Sequence, residues 1–252
     1  MKDIKKYDLI CSIGINCACA QYLRKNHLRN KSGPLDWLIS SDNYAPFKTI
    51  LDEFNTFLDF SNLSPQKTEE SQVNINFIHT KNKYVLVHDF FKGETIEKQI
   101  TSVKQKYTRR ITRLLNNLKS SKDILFVWYG ENGVVLDKKI LLQYLRQIRE
   151  KYTANIDFLF ILYNGNKNID KEVIASGITF YNLPKEHLVL REEGNLLWDV
   201  DTITPIISSL KLKNNGKSLY FIFRGVFYRI LSAFIFNKIK RHKFIEDKLR
   251  NN

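Results

Sequence analysis

Five short, continuous apolar runs alternate with segments whose apolar residues recur at helical spacing. The runs are too short to be buried helices, so they predict strands that are covered on both faces. The predicted strands span residues 8–13, 84–88, 124–128, 156–162 and 178–181. The predicted helices span residues 18–25, 95–118 and 136–152. This alternation predicts an α/β fold with a mostly parallel sheet and helices on both faces, a Rossmann-like or esterase-like three-layer sandwich.

The basic charge of the chain is concentrated near its C-terminus. Residues 211–252 carry eleven basic and two acidic side chains, and so contribute +9 to the net charge of +14. The length of 252 residues fits one large domain with an appendage. We therefore expect an α/β domain over residues 1–210 and a basic, amphipathic helical tail over residues 211–252.

Cysteine content and the N-terminal residues bear on the cellular location. Three cysteines are too few for a disulfide scaffold, and an odd number favours a reducing compartment. Residues 1–6 are charged and lead into no apolar stretch of signal-peptide length. A hydrophobic content of 43% excludes a wholly disordered chain. The expected location is the cytoplasm.

The tail contains a stretch that is apolar and amphipathic. Residues 219–237 include two charged side chains, Arg224 and Arg229, and a basic cluster follows. Such a helix is typical of attachment to an anionic membrane surface, which makes the inner face of the membrane one candidate partner of residues 219–243. A C-terminal helix packed on the domain explains the pattern equally. Two central arginines argue against a spanning helix, and nucleic acid, without a recognition motif, is the last candidate partner.

Residues 12–17, Ser-Ile-Gly-Ile-Asn-Cys, put a cysteine after the first predicted strand and at the first turn of the next helix. Unpaired amides at a helix N-terminus stabilise a thiolate, so Cys17 is a candidate nucleophile. The same amides, with Gly14 or the side chain of Asn16, suit the oxyanion of an acyl intermediate. The alternative is an inert, buried thiol, which we expect for Cys11 and Cys19. Two nearby cysteines do not make a four-ligand zinc site, and we expect neither a metal nor a cofactor.

His88 is the candidate general base, because it ends the second predicted strand and precedes a carboxylate, Asp89. Adjacent residues of a strand point to opposite faces, so the orienting acid is either Asp89 or a residue from elsewhere, such as Asp36 or Asp199. His187, which follows the fifth predicted strand, is the second candidate base.

Two further segments supply candidate substrate-binding residues. Ser32, Asp36 and Trp37 follow the first predicted helix. Trp37 is suited to form the wall of a pocket, and Asp36 is suited to bind a hydroxyl group of a substrate. The alternative is a core tryptophan and a capping aspartate. Arg109 and Arg113 lie four residues apart on one helical face, which suits either a clamp for a phosphate or carboxylate or a solvated basic face.

Five motifs fall in the first half of the chain: residues 12–17, 23–29 (Leu-Arg-Lys-Asn-His-Leu-Arg), 32–37 (Ser-Gly-Pro-Leu-Asp-Trp), 87–90 (Val-His-Asp-Phe) and 106–113. Together they resemble a bacterial family of unknown function labelled putative papain-like cysteine peptidase, with Leu35 where that family usually has Phe. The resemblance implies that Cys17 is catalytic and that His88 is its partner. Genes of this family often lie among those for surface polysaccharides, which implies a glycan-related substrate.

The alternation of strands and helices favours a different fold from that of papain. The order of a strand, the residues Gly-x-Asn-Cys and then a helix is more similar to the opening of esterase and acyltransferase folds than to the papain fold. We therefore expect a cysteine-nucleophile hydrolase or acyl or group transferase that acts on a small-molecule or glycan substrate in surface polysaccharide metabolism. The alternative is a non-catalytic α/β module that binds an anionic sugar or nucleotide and docks to a membrane assembly.

Overall fold

The computed structural model describes residues 5–29, 31–66, 74–120, 122–130, 134–163, 168–184 and 200–213, with scattered positions between 227 and 244. The elements, in chain order, are β1 (Lys6–Tyr7), β2 (Leu9–Ser12), α1 (Ala18–Lys25), β3 (Leu38–Ser40), α2 (Ala45–Leu51), a 3-10 turn (Phe60–Asn62), β4 (Leu63–Pro65), β5 (Asn74–His79), β6 (Tyr84–Phe91), α3 (Ile96–Leu118), β7 (Asp123–Gly130), α4 (Lys138–Lys151), β8 (Asn155–Tyr163), β9 (Asp170–Ala175), β10 (Ile178–Leu183), α5 (Val200–Ser208) and β11 (Lys211–Leu212).

The main sheet has five strands in the order β2-β7-β8-β10-β9. Its first four strands are parallel, and β9 pairs with β10 in the antiparallel direction. Side chains of β7 alternate between two cores: Phe126 and Trp128 pack with α3 and α4, whereas Val127 and Tyr129 pack with α1 and α5. Both faces of the central strands are therefore covered by helices, which explains their continuous apolar sequences.

A second sheet contains four antiparallel strands in the order β3-β6-β5-β4. The α/β class is confirmed, but the prediction of one mostly parallel sheet is wrong, because the strand that contains His88 belongs to this second sheet. That strand continues to Phe91, so His88 lies within it and not at its end. A tight turn with Lys83 at φ 59° joins β5 to β6. A connection this short permits only antiparallel pairing, since a parallel pair needs a long crossover.

Some sequence predictions fall at the edge of the described residues or beyond it. Lys211 and Leu212 form β11, which pairs with β1, so the first residues of the predicted tail pack on the domain. Phe227, Ile230 and Phe234 are exposed, and most of the rest of the predicted tail helix lies outside the described residues. His187 and Asp199 also lie outside them. Within the described part of the chain, no helix is both long and apolar enough to cross a bilayer.

The two sheets are joined through the backbone of Ile15. Its amide donates to the carbonyl of Tyr129 in the main sheet (3.2 Å), and its carbonyl accepts from the amide of Ser40 in the second sheet (2.8 Å). Gly14, just before it, lies against Tyr129; a Cβ there would stand 3.1 Å from the nitrogen and the oxygen of Tyr129 and 3.3 Å from Cβ of Cys19. The close approach of the two backbones explains the glycine.

Helix α3 is tied to β6 by a buried carboxylate, Asp89. Its Oδ1 accepts a short hydrogen bond from Nζ of Lys106, and its Oδ2 accepts one from the Tyr107 hydroxyl at 2.8 Å. Burial raises the pKa of Asp89, but the charge of Lys106 and the two hydrogen bonds outweigh it, and the pKa lies below its usual value. The side chain of Gln99 adds hydrogen bonds to both the amide and the carbonyl of Phe91 (2.8 and 3.0 Å). These contacts fix β6, and hence His88, against α3.

We expect Gly14→Ala to lower the free energy of unfolding by about 1–3 kcal/mol, because the added methyl group overpacks the contact with the backbone of Tyr129. Urea denaturation followed by circular dichroism measures this change. A transition midpoint equal to that of the unmodified protein would contradict the close approach.

We expect Asp89→Asn to cost about 3–5 kcal/mol, because it leaves the ammonium group of Lys106 buried without its counter-charge. Glu172→Gln, which breaks the exposed pair with Lys138, is the matched control and should cost no more than about 1 kcal/mol. Because the pKa of Asp89 is lowered by folding, its contribution is complete above the unfolded pKa of about 3.9 and is lost as the pH falls through the folded value. Urea titrations at several pH values test both statements, and equal losses in the two variants would contradict them.

Candidate functional site

Cys17 occupies the position immediately before α1, after the turn that leaves β2. Its backbone is already helical (φ −70°, ψ −8°), and its side chain is half-buried. Oδ1 of Asn16 accepts a hydrogen bond from the amide of Ala18 at 3.0 Å, which caps the first helical turn. Nε2 of Gln21, one turn further along α1, donates to Sγ of Cys17 at 3.7 Å. The thiol therefore lies at a helix start with a side-chain donor beside it.

The other two cysteines differ from Cys17 in their burial. Cys11 and Cys19 are 8% and 2% exposed, as expected for inert thiols. Burial raises the pKa of both, and Sγ of Cys19 donates to the carbonyl of Val127 at 3.3 Å. A protonated, buried thiol is a poor nucleophile. Cys17 is consequently the candidate for thiol chemistry in this chain.

Asp36 organises the loop between α1 and β3. The carboxylate is 1% exposed, and its Oδ2 accepts hydrogen bonds from Nη1 of Arg29 (2.5 Å) and from the amide of Gly33 (2.8 Å). A Cβ on Gly33 would stand 3.1 Å from Oδ1 of Asp36, so the glycine lets the turn close on the carboxylate. These contacts give Asp36 a role in shaping the turn.

Trp37 links α1 to the strand that carries His88. The indole is 3% exposed, and its centroid lies 5.8 Å from that of the His88 ring, with the planes perpendicular (88°). The guanidinium groups of Arg29 and Arg24 lie 5.1 and 5.9 Å from the Trp37 ring. Trp37 is thus a core residue that also forms one wall beside the half-buried His88.

Asp89, one of the predicted orienting acids for His88, is hydrogen bonded to residues of α3. Both oxygens of Asp89 accept hydrogen bonds from α3, from Lys106 and Tyr107. The residue packed edge-on against His88 is Trp37. Asp89 therefore positions the strand on which His88 lies.

The two arginines of the predicted clamp, Arg109 and Arg113, differ in their burial. Arg113 is half-buried, and its Nη2 donates to the carbonyl of Ser32 at 2.7 Å, whereas Arg109 is exposed. Burial and the positive charges of Arg110 and Arg109 lower the pKa of Arg113. The structure thus brings Ser32 together with Arg113, and Trp37 together with His88.

Sequence reasoning missed three residues of this region. Gln21 lies four positions after Cys17, and the spacing of one helical turn is a signal that could have identified it. Arg29 and Arg110 carry no local signal, because their contacts depend on the packing of distant segments: Arg29 binds Asp36, and Arg110, which is 2% exposed, lies over the Tyr107 ring (5.8 Å).

Comparison with known proteins places the chain in a family. Uncharacterized protein R408 of Acanthamoeba polyphaga mimivirus is 31% identical over 136 residues, an alignment that covers 47% of this chain and 60% of that protein. The chain therefore matches less than two thirds of the length of this relative. No solved structure matches the chain significantly. The family model described as putative papain-like cysteine peptidase (DUF1796) matches residues 8–168, a range that includes Cys17, the Asp36 turn and His88. This chain belongs to that family.

Proposed function

We propose that the protein is a cysteine hydrolase in which Cys17 is the nucleophile and His88 is the general base. The observation that carries the proposal is the contrast among the three thiols: Cys17 is half-buried at the start of α1 with Gln21 donating to its sulfur, whereas Cys11 and Cys19 are buried. Membership of the papain-like cysteine peptidase family supports the same chemistry.

The connection between the two sheets supports the pairing of Cys17 with His88. Cys17 is two residues beyond Ile15, whose carbonyl accepts from Ser40 of β3. Strand β3 pairs with β6, with Leu38 opposite Leu86, and His88 is two residues beyond Leu86. The proposed nucleophile therefore follows β2 near this junction, and the proposed base lies within β6, whose partner strand β3 meets Ile15.

The proposed reaction proceeds through a thioester. His88 takes the proton of the Cys17 thiol, and the sulfur attacks the acyl carbon. The carbonyl electron pair moves to the oxygen, where Nδ2 of Asn16 and amides of the first turn of α1 other than that of Ala18 donate to the oxyanion. The pair returns, the leaving group departs with a proton from His88, and a thioester remains. Water then gives a proton to His88 and attacks the thioester, which releases the acid and regenerates the thiol.

The family resemblance supports a substrate class as well. We propose that the acyl compound is a component of a bacterial surface glycan. If a sugar hydroxyl replaces water in the second step, the same thioester leads to acyl transfer instead of hydrolysis, and the products of a reaction run with and without an acceptor sugar separate the two outcomes.

We expect Cys17 to react with iodoacetamide in the native protein with an apparent pKa below the value of about 8.5 for a free thiol. Cys11 and Cys19 should react only after unfolding, because burial protects them. Peptide mass spectrometry over a range of pH values measures each site, and Cys17→Ser is the control that removes the fast phase. The proposal fails if Cys17 alkylates no faster in the native protein than in urea at every pH.

We expect His88→Asn to slow acylation of Cys17 by an activated ester such as p-nitrophenyl acetate by about 100-fold or more, because the general base is lost. His27→Asn is the matched control, since His27 is exposed at the end of α1 with a φ of 61°, which Asn tolerates. Intact-mass kinetics measure acylation, and thermal unfolding checks that both variants fold. Equal rates in the two variants would exclude His88 as the base.

A further inference from the structure

A cavity of about 280 Å³ lies at the amino-terminal ends of β2 and β7, whereas Cys17 follows the carboxyl end of β2. Among the described residues, four cationic side chains line it, from Lys31, Arg110, Arg113 and Lys122, and one acidic side chain, Asp8. Leu9 and Leu114 form an apolar wall of the cavity. The cavity therefore combines a strong positive charge with an apolar surface.

The one acidic residue of this lining is already engaged. Oδ2 of Asp8 accepts hydrogen bonds from Nζ of Lys213 (2.8 Å) and from the amide of Asp123 (2.9 Å). Lys213 lies outside the cavity lining and is shared with Asp123 (2.5 Å), so it balances the charge of Asp8 in part. The cavity keeps an excess of positive charge, because four cations of its described lining face this one carboxylate.

Two of the cations are held by neutral groups. Arg113 donates to the carbonyl of Ser32 (2.7 Å), and Nζ of Lys122 donates to Oδ1 of Asn117 (2.8 Å). Within the described ranges, neither cation lies within salt-bridge distance of a carboxylate. The neutral partners orient both cations without cancelling their charge.

The arginines are also crowded by one another. Burial, together with the charges of Arg110 and Arg109, lowers the pKa of Arg113, and the charge of Asp36 opposes this only in part. Arg110, which is 2% exposed, acts on the buried carboxylate of Asp89 as well. A half-buried cation such as Arg113, which neighbouring cations repel, is stabilised when an anion binds beside it. A planar guanidinium group with parallel N–H donors matches the oxygens of a phosphate group.

We infer that this cavity binds the phosphate group of a small phosphorylated molecule, with Arg113 and Lys122 on the phosphate and the apolar wall against the remainder. Its volume is close to the lower end of ligand pockets, roughly 300–1,000 Å³, which suits a small monoester and not a polymer. The inference goes beyond the proposed hydrolase, because none of these lining residues takes part in the chemistry of Cys17.

Isothermal titration calorimetry of the full chain with inorganic phosphate and with glycerol phosphate, at constant ionic strength, tests the inference. Both should bind, and glycerol alone should not. Arg113→Gln should weaken phosphate binding about tenfold, because a charge-assisted pair of hydrogen bonds is lost. Lys122→Gln, at an exposed position that leaves the fold intact, should weaken it by a smaller factor and serves if R113Q does not fold.

Arg109→Gln is the matched control, since it removes an exposed charge from the same helix and should leave binding unchanged. Cys17→Ser should also bind phosphate normally, which separates this inference from the proposed catalysis. Absence of phosphate binding, equal binding of glycerol, or an equal loss in R109Q and K122Q would overturn the assignment.

Discussion

The backbone of Ile15 is the point on which the arrangement of this molecule depends. Its amide is hydrogen bonded in the main sheet and its carbonyl in the antiparallel sheet, so the backbone of one residue connects two sheets that also share a hydrophobic core. Gly14 makes the approach to Tyr129 possible, because a side chain would occupy that space. Each hydrogen bond contributes only about 1 kcal/mol to stability. Their larger effect is positional, since Cys17 lies two residues later, immediately before α1, and Trp37 lies just before the strand that Ser40 ends.

Two buried carboxylates then set the loops and helices around that junction. Asp36 accepts hydrogen bonds from Arg29 and Gly33, and the guanidinium group of Arg29 lies over the ring of Trp37. Asp89 holds α3 through Lys106 and Tyr107. A buried ion pair adds little net stability compared with apolar packing, yet it is costly to break, so it acts mainly on geometry. The anchoring of α3 at Lys106 and Tyr107 also brings Arg110 and Arg113, on the next turns of the helix, to the positively charged cavity.

The elements best predicted from sequence are those in which the spacing of apolar residues indicates directly which side chains are buried. Strands β2, β7, β8 and β10 are continuous apolar runs that are buried on both faces, and α3 and α4 show helical spacing, so all six were predicted with small errors at their ends. Strand β9 was missed because its charged residues face solvent at a sheet edge. Strand β6 was predicted as a strand but assigned to the wrong sheet, because an apolar run does not specify which neighbour it pairs with.

The sequence by itself determined the strand, turn and helix that carry Cys17, because the hydrogen bonds that Ala18 donates to Asn16 and Gln21 donates to Cys17 act within one helical turn. It also determined the burial of Cys11 and Cys19, because these cysteines lie in a predicted strand and a predicted helix. Only the tertiary structure decided what Asp36, Asp89 and Arg113 contact. Their partners come from other segments: Lys106 and Tyr107 are 17 and 18 residues from Asp89, and Ser32 is 81 residues from Arg113. Periodicity specifies which face of an element is buried, whereas the choice of partner for a buried charge depends on which element packs against that face.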